Sequence, residues 1–105
     1  MLALPFVVAL YAFNPADCGE LASSAWAAQM WRRGDSKHPA QTTLVEAIKN
    51  FDKISEQYEK ESARTVRKVI QHVYESYPAT TEADDVAAGV YEQCKGRSLR
   101  LPDDL

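Results

Sequence analysis

CGELASSAWAAQMWRR, residues 18–33, is the stretch whose reading decides the fold. Leu21, Ala22, Ala25, Trp26, Ala28 and Met30 recur at three- and four-residue spacings, which gathers them on one face of a helix. Arg32 and Arg33 in the last turn complement the negative helix end, and Gly34 suits the cap that stops it. The stretch therefore predicts an amphipathic helix whose apolar face needs partners further along the chain. On this reading Trp26 belongs to the core. Trp31, five residues on, cannot share that narrow face and is left over, either as an exposed anchor or packed against the loop around Pro39 or the following helix.

Downstream the same period continues. DSKHPAQ, residues 35–41, reads as a loop, because Pro39 cannot sit inside a helix. Thr43 and Glu46 form a capping-box pattern that starts a second helix striped by Leu44, Ile48, Phe51 and Ile54 or Ser55. Neither Gly nor Pro interrupts residues 42–77, which leaves one long helix or two. The polar run SEQYEKES thins the stripe around Gln57 to Ser62, and a break or bend is expected there. Ala63, Val66, Val69 or Ile70, Val73 and Tyr77 resume it until Pro78 closes the helix. A last helix from Thr80 or Thr81 carries Ala83, Val86, Ala87, Val90 and Cys94 on one face, and Gly96 ends it. With no strand alternation and no repeat, the expectation is an all-α, small four-helix domain over residues 17–97 and a tail over 98–105.

Upstream, Leu2 to Phe13 is an uncharged apolar run stopped by Asn14 and Pro15. Twelve residues rise about 18 Å as a helix, short of the roughly 30 Å a membrane span needs, but of the length of a secretory signal core. Cutting after Ala16 leaves a mature chain starting at Asp17, so residues 1–16 are expected to be a signal peptide and the protein periplasmic or secreted. Asp17, before the cysteine, disfavours a lipid anchor. The alternative is a built-in first element of a cytoplasmic domain.

The chain has two cysteines, Cys18 opening the first helix and Cys94 closing the last. A 105-residue chain supports one small core, which buries only roughly two thirds of the unfolded surface, so a covalent tie between its ends contributes noticeably to stability. A Cys18–Cys94 disulfide is expected in an oxidising compartment, and two buried free thiols in a cytosolic one.

CGELASSAWAAQMWRRGDS, VIQHVYESYP and VYEQC together resemble the signature blocks of a group of small exported two-cysteine all-α proteobacterial proteins of uncharacterised function. In that group a signal peptide ends just before a cysteine, the first helix stops at an Arg-Gly-like turn, a Tyr precedes Pro, and a second cysteine ends the last helix. The resemblance implies the fold and export; it implies no activity.

Composition narrows function further. Twelve basic against fifteen acidic residues give a net charge of −3, which offers no general attraction to nucleic acid or anionic lipid, and no stable membrane insertion of the mature chain is expected. Cys18, His38, His72 and Cys94 lack the close ligand pairs of a zinc site, so neither metal nor cofactor is expected. Arg33-Gly34-Asp35 matches an integrin signature but is explained by helix-end punctuation. His72 is a conceivable base with Ser62, Ser76 or Tyr74, yet no third group or oxyanion donor can be assigned, and an enzyme is not expected. Trp31 with Arg32 and Arg33 has the residue mixture that concentrates binding energy. Lys60, Arg64 and Lys68, at i, i+4 and i+8 with Arg67 beside them, form a basic stripe among Glu56, Glu59 and Glu61 that an acidic partner fits. The expected function is binding of a protein or small ligand by an exported helical module. The alternatives are a small envelope-stress chaperone and a cytosolic helical adaptor that keeps residues 1–16.

Overall fold

The structure, a computed structural model, describes residues 17–103; residues 1–16, where the signal peptide is expected, and residues 104–105 lie outside the described residues. Four helices follow one another: α1 (Cys18–Arg33), α2 (Leu44–Ile54), α3 (Lys60–Ser76) and α4 (Ala83–Lys95), with one 3₁₀ turn (Ser55–Gln57) between α2 and α3. The fold is all-α, and the described residues include no strand.

Local chemistry sets the boundaries. Asp17 Oδ1 accepts from the backbone N–H of Gly19 at 2.8 Å and of Glu20 at 3.2 Å, satisfying two orphan donors at the start of α1. Gly34 ends α1 at φ 75°, and a Cβ there would stand 2.6 Å from the backbone nitrogen of Ala40. Thr43 Oγ1 accepts from Glu46 N at 3.1 Å, while the Glu46 carboxylate reaches back to Thr42 N at 3.0 Å, so the capping box closes one residue upstream of its usual partner. The break expected within 42–77 is real and separates two helices. Tyr58 N bonds Ser55 O at 2.9 Å, and the chain runs extended through Tyr58 and Glu59 before α3 restarts. Pro78 stops α3 as expected. α4 starts at Ala83 rather than Thr80 or Thr81, because Thr81 N turns back to Pro78 O at 3.1 Å and the Thr81 carbonyl is already taken by Gln29.

α1 and α4 lie antiparallel. Cys18 and Cys94 are joined by a disulfide with Cα atoms 5.6 Å apart, and at the opposite end Arg33 pairs with Glu82 at 3.1 Å. Leu21, Ala25 and Ala28 of α1, Val66, Val69, Ile70 and Val73 of α3, and Val86 and Val90 of α4 fill the core between them. α2 adds Ala47, Ile48 and Phe51 from the side, leaning on α3 and touching α1 only at its margin.

At the end of this packing away from the disulfide sits Gln29, fully buried. Its amide nitrogen lies 2.7 Å from Thr81 O, 3.1 Å from Pro78 O and 3.4 Å from Ala79 O, so one side chain on α1 holds the whole turn between α3 and α4. Arg32 supports it from the same helix. Its guanidinium donates to Tyr77 O at 2.7 Å and lies 4.5 Å from the centre of the Tyr74 ring. The Tyr77 ring in turn occupies the space over Gly89, where a Cβ would collide with the phenol hydroxyl.

One expectation is corrected here. Trp26 is not in the core but 41% exposed, its indole N–H donating to Asp84 Oδ1 at 2.8 Å. Ala25 and Ala28 are buried in the core while Trp26, next in sequence to Ala25, lies at the rim of that face of α1, where it reaches α4 through its N–H. Beyond α4 the chain stays against the domain as far as Leu101. Ser98 N and Leu99 N bond Gln93 O, at 2.8 and 3.1 Å, and Leu99 and Leu101 pack against the core.

Gln29→Leu keeps the volume and removes the side-chain donor that the part-buried carbonyls of the Pro78–Thr81 turn share; we expect a loss of about 1–3 kcal/mol, read as a fall in melting temperature, and an unchanged melting temperature would refute the clamp. Replacing both cysteines by serine opens a loop of sequence separation 76 and should cost about 4–5 kcal/mol by chemical denaturation.

Candidate functional site

α2 is the helix with the least support, and the surfaces on either side of it hold Trp31, Lys60 and Arg64 of the residues that sequence singled out. The loop entering it is fixed first. Asp35 Oδ1 accepts from Lys37 N at 2.8 Å and His38 N at 2.7 Å, and these backbone donors hold the Asp35 carboxyl below its ordinary value. The Asp35 of the Arg33-Gly34-Asp35 signature is therefore spent on its own turn. Gln41 N bonds Trp31 O at 3.0 Å and the Tyr74 hydroxyl donates to Gln41 O, which ties the loop back to the end of α1. Burial raises the Tyr74 pKa and keeps that hydroxyl a donor.

This anchoring sets Trp31 beside α2. Trp31, Gln41, Asn50, Phe51 and Ile54 enclose a nook of about 170 Å³, with Trp31 and Ile54 each 39% exposed at its mouth. Phe51 forms the floor and is itself steadied edge-to-face by Tyr58 at 5.4 Å between ring centres. Trp31 is thus outside the core, as its position off the Leu21, Ala25, Ala28 stripe implied.

The other side of α2 faces α3 across a trough. Its first half, of about 480 Å³, is lined by Leu44, Val45, Ile48 and Lys49, and Val45 is 77% exposed. Asp52 and Arg67, 3.6 Å apart, stand at the middle. The second half, about 560 Å³, runs past Ser55, Glu56 and Tyr58 to Lys60, Ala63 and Arg64. Lys60 and Arg64 from the expected basic stripe do come together here, with Arg67 added. Lys68, one step round α3, is half-buried and does not line the trough.

Arg32 and Arg33 divide. Arg32 donates inward to Tyr77 O and so serves the fold rather than an exposed surface. Arg33 is an exposed pair with Glu82, a type of contact worth about 0–1 kcal/mol. Val45 and Ile54 were missed as surface residues; the available signal was Val45, an apolar residue off the Leu44, Ile48, Phe51 stripe.

The remaining constellations separate. The two sulfurs are bonded to each other and His38 turns to Asp35, 3.1 Å away, so the four residues weighed for zinc do not converge. Ser76 Oγ lies 3.3 Å from His72 Nδ1, whereas Tyr74 bonds Gln41 and Ser62 is buried ten residues earlier on α3, about 15 Å along the axis. The Tyr77 ring meets His72 edge-on at 6.2 Å. Burial pushes the imidazole below its ordinary value, opposed by Gln93 from α4 and by the Glu75 carboxylate.

Compared with family models, with curated proteins and with solved structures, the chain finds no match. The geometry of α2 and its flanks therefore carries the functional reading alone.

His72 gives a pH dependence of known sign. Its folded pKa is lowered, so below about 6.5 the unfolded chain binds a proton that the folded one resists, and stability falls as pH drops through that value until folded His72 also protonates. We expect the melting temperature to decline on acidification from neutral pH through this window, and His72→Gln to flatten that decline; identical profiles would show that His72 contributes nothing.

Proposed function

We propose that the protein is an exported helical binding module that recognises a partner protein through the outer surface of α2 and the adjoining end of α1. The observation that carries this reading is the nook between Trp31 and Ile54. A tryptophan and an isoleucine are held half out of water over the Phe51 floor, on a helix end and loop fixed by the Gln41 and Tyr74 hydrogen bonds. Preorganised aromatic anchors beside a small apolar recess concentrate binding energy in protein interfaces, and holding them rigid in advance lowers the entropic cost of association.

Export is supported by the disulfide, a bond that persists in oxidising compartments, and by the apolar run ahead of Asp17. Among the described residues no helix is long and apolar enough to cross a membrane. The resemblance to small exported two-cysteine proteins points the same way. A second reading, an acid-responsive envelope chaperone, draws on His72, a part-buried imidazole packed edge-on against Tyr77 whose burial disfavours its charged form. It requires apolar surface to open at mildly acid pH.

A photo-crosslinking residue at position 54, expressed in the native host, tests the main reading. One discrete adduct with a second protein in the extracytoplasmic fraction is expected, and Trp31→Ala should abolish it while lowering stability by less than the roughly 3–5 kcal/mol of a fully buried Trp. No adduct, or one indifferent to Trp31→Ala, contradicts it. Dye binding that rises near pH 5 with the disulfide intact would favour the chaperone instead.

A further inference from the structure

The α3 side of α2 changes character along its length. Leu44, Val45 and Ile48 give an apolar floor at one end, and Lys60 and Arg64 give a cationic one at the other, with the Asp52–Arg67 pair between. The lining carries Lys49, Lys60, Arg64 and Arg67 against Asp52 and Glu56, with Glu61 3.5 Å from Arg64 beside it, so cations still outnumber carboxylates along a trough in a chain whose net charge is −3. A locally positive strip on a negative protein attracts an acidic partner.

Shape selects the kind of partner. The eleven residues of α2 extend about 16 Å, and the trough follows them. Both halves are open to solvent, unlike the clefts that bury most of a small ligand's surface. Two helices joined by a short turn present a groove in which a third helix can lay apolar side chains spaced i, i+3 or i+4, and i+7.

Resting on the binding-module reading, we infer that the α2–α3 groove docks an acidic amphipathic helix of the partner protein. Its apolar stripe covers Leu44, Val45 and Ile48, and its carboxylates lie along Lys49, Lys60 and Arg64. The apolar contact supplies affinity; the charges set orientation and speed of encounter, and they weaken with salt.

The test is a phage-displayed library of helical peptides with a fixed apolar stripe and randomised flanks, selected on the intact, oxidised protein. Selected flanks should be enriched in Asp and Glu. Binding of a selected peptide should fall about tenfold or more with Val45→Asp, with Arg64→Glu, and on reversing the peptide's charges, with melting temperatures of both variants close to that of the parent. Failure to select any helix, neutral or basic flanks, binding indifferent to both substitutions, or displacement of the peptide by a short-chain fatty acid would each overturn the inference. If the crosslink at position 54 forms while no acidic helix binds, the groove inference fails and the binding-module reading stands; if neither occurs, both fail.

Discussion

The antiparallel pairing of α1 with α4, locked at both ends, is the constraint on which the rest of the molecule depends. At one end the lock is covalent, Cys18 to Cys94. At the other the Gln29 amide, fully buried and facing carbonyls of the Pro78–Thr81 turn, is joined by Arg32 on Tyr77 O and Arg33 on Glu82. Burying a glutamine in an apolar core is unfavourable unless its polar atoms are satisfied. Here the donors meet a turn whose own carbonyls need partners, so each side removes the other's desolvation cost. Between the locks, Ala25 and Ala28 on α1 and Val86 and Val90 on α4 are buried in the shared core.

Because the end of α1 is fixed, both segments that leave the frame are fixed too. Arg32 holds Tyr77 O and lies over Tyr74; Tyr74 holds Gln41 O; Gln41 N returns to Trp31 O. This chain of contacts delivers α2 to the flank of α3 with Phe51 inward and leaves Val45 and Ile54 outward. α2 leans on α3 and touches α1 only at its margin, and its exposed apolar residues and the cations facing it from α3 make it the element best suited to meet another protein.

Helix positions were legible because period, caps and breakers agree: Asp17 and Gly34 around α1, Thr43 before α2, Pro78 after α3, and the polar run that separates α2 from α3. The disulfide followed from two cysteines at opposite ends of a helical array. What sequence could not convey was which side of each stripe faces a close neighbour. Trp26 reads as core by spacing, yet it lies at the rim of the buried face of α1, and Gln29 reads as surface by polarity, yet a turn fifty residues away satisfies it. Likewise Arg32 reads as surface by charge, yet its guanidinium donates to Tyr77 O, forty-five residues on. Of the expected binding residues, Trp31, Lys60 and Arg64 line the recesses beside α2, because their exposure depends mainly on helix phase.

The central claim is that α1 and α4 form a locked frame while α2 is carried on it, available for recognition. Native-state amide hydrogen exchange tests it residue by residue. The account predicts that interior amides of α1 and α4 exchange only through global unfolding, and that those of α2 exchange faster, through a local opening that leaves the frame protected. Protection in α2 equal to that in α4 would contradict it.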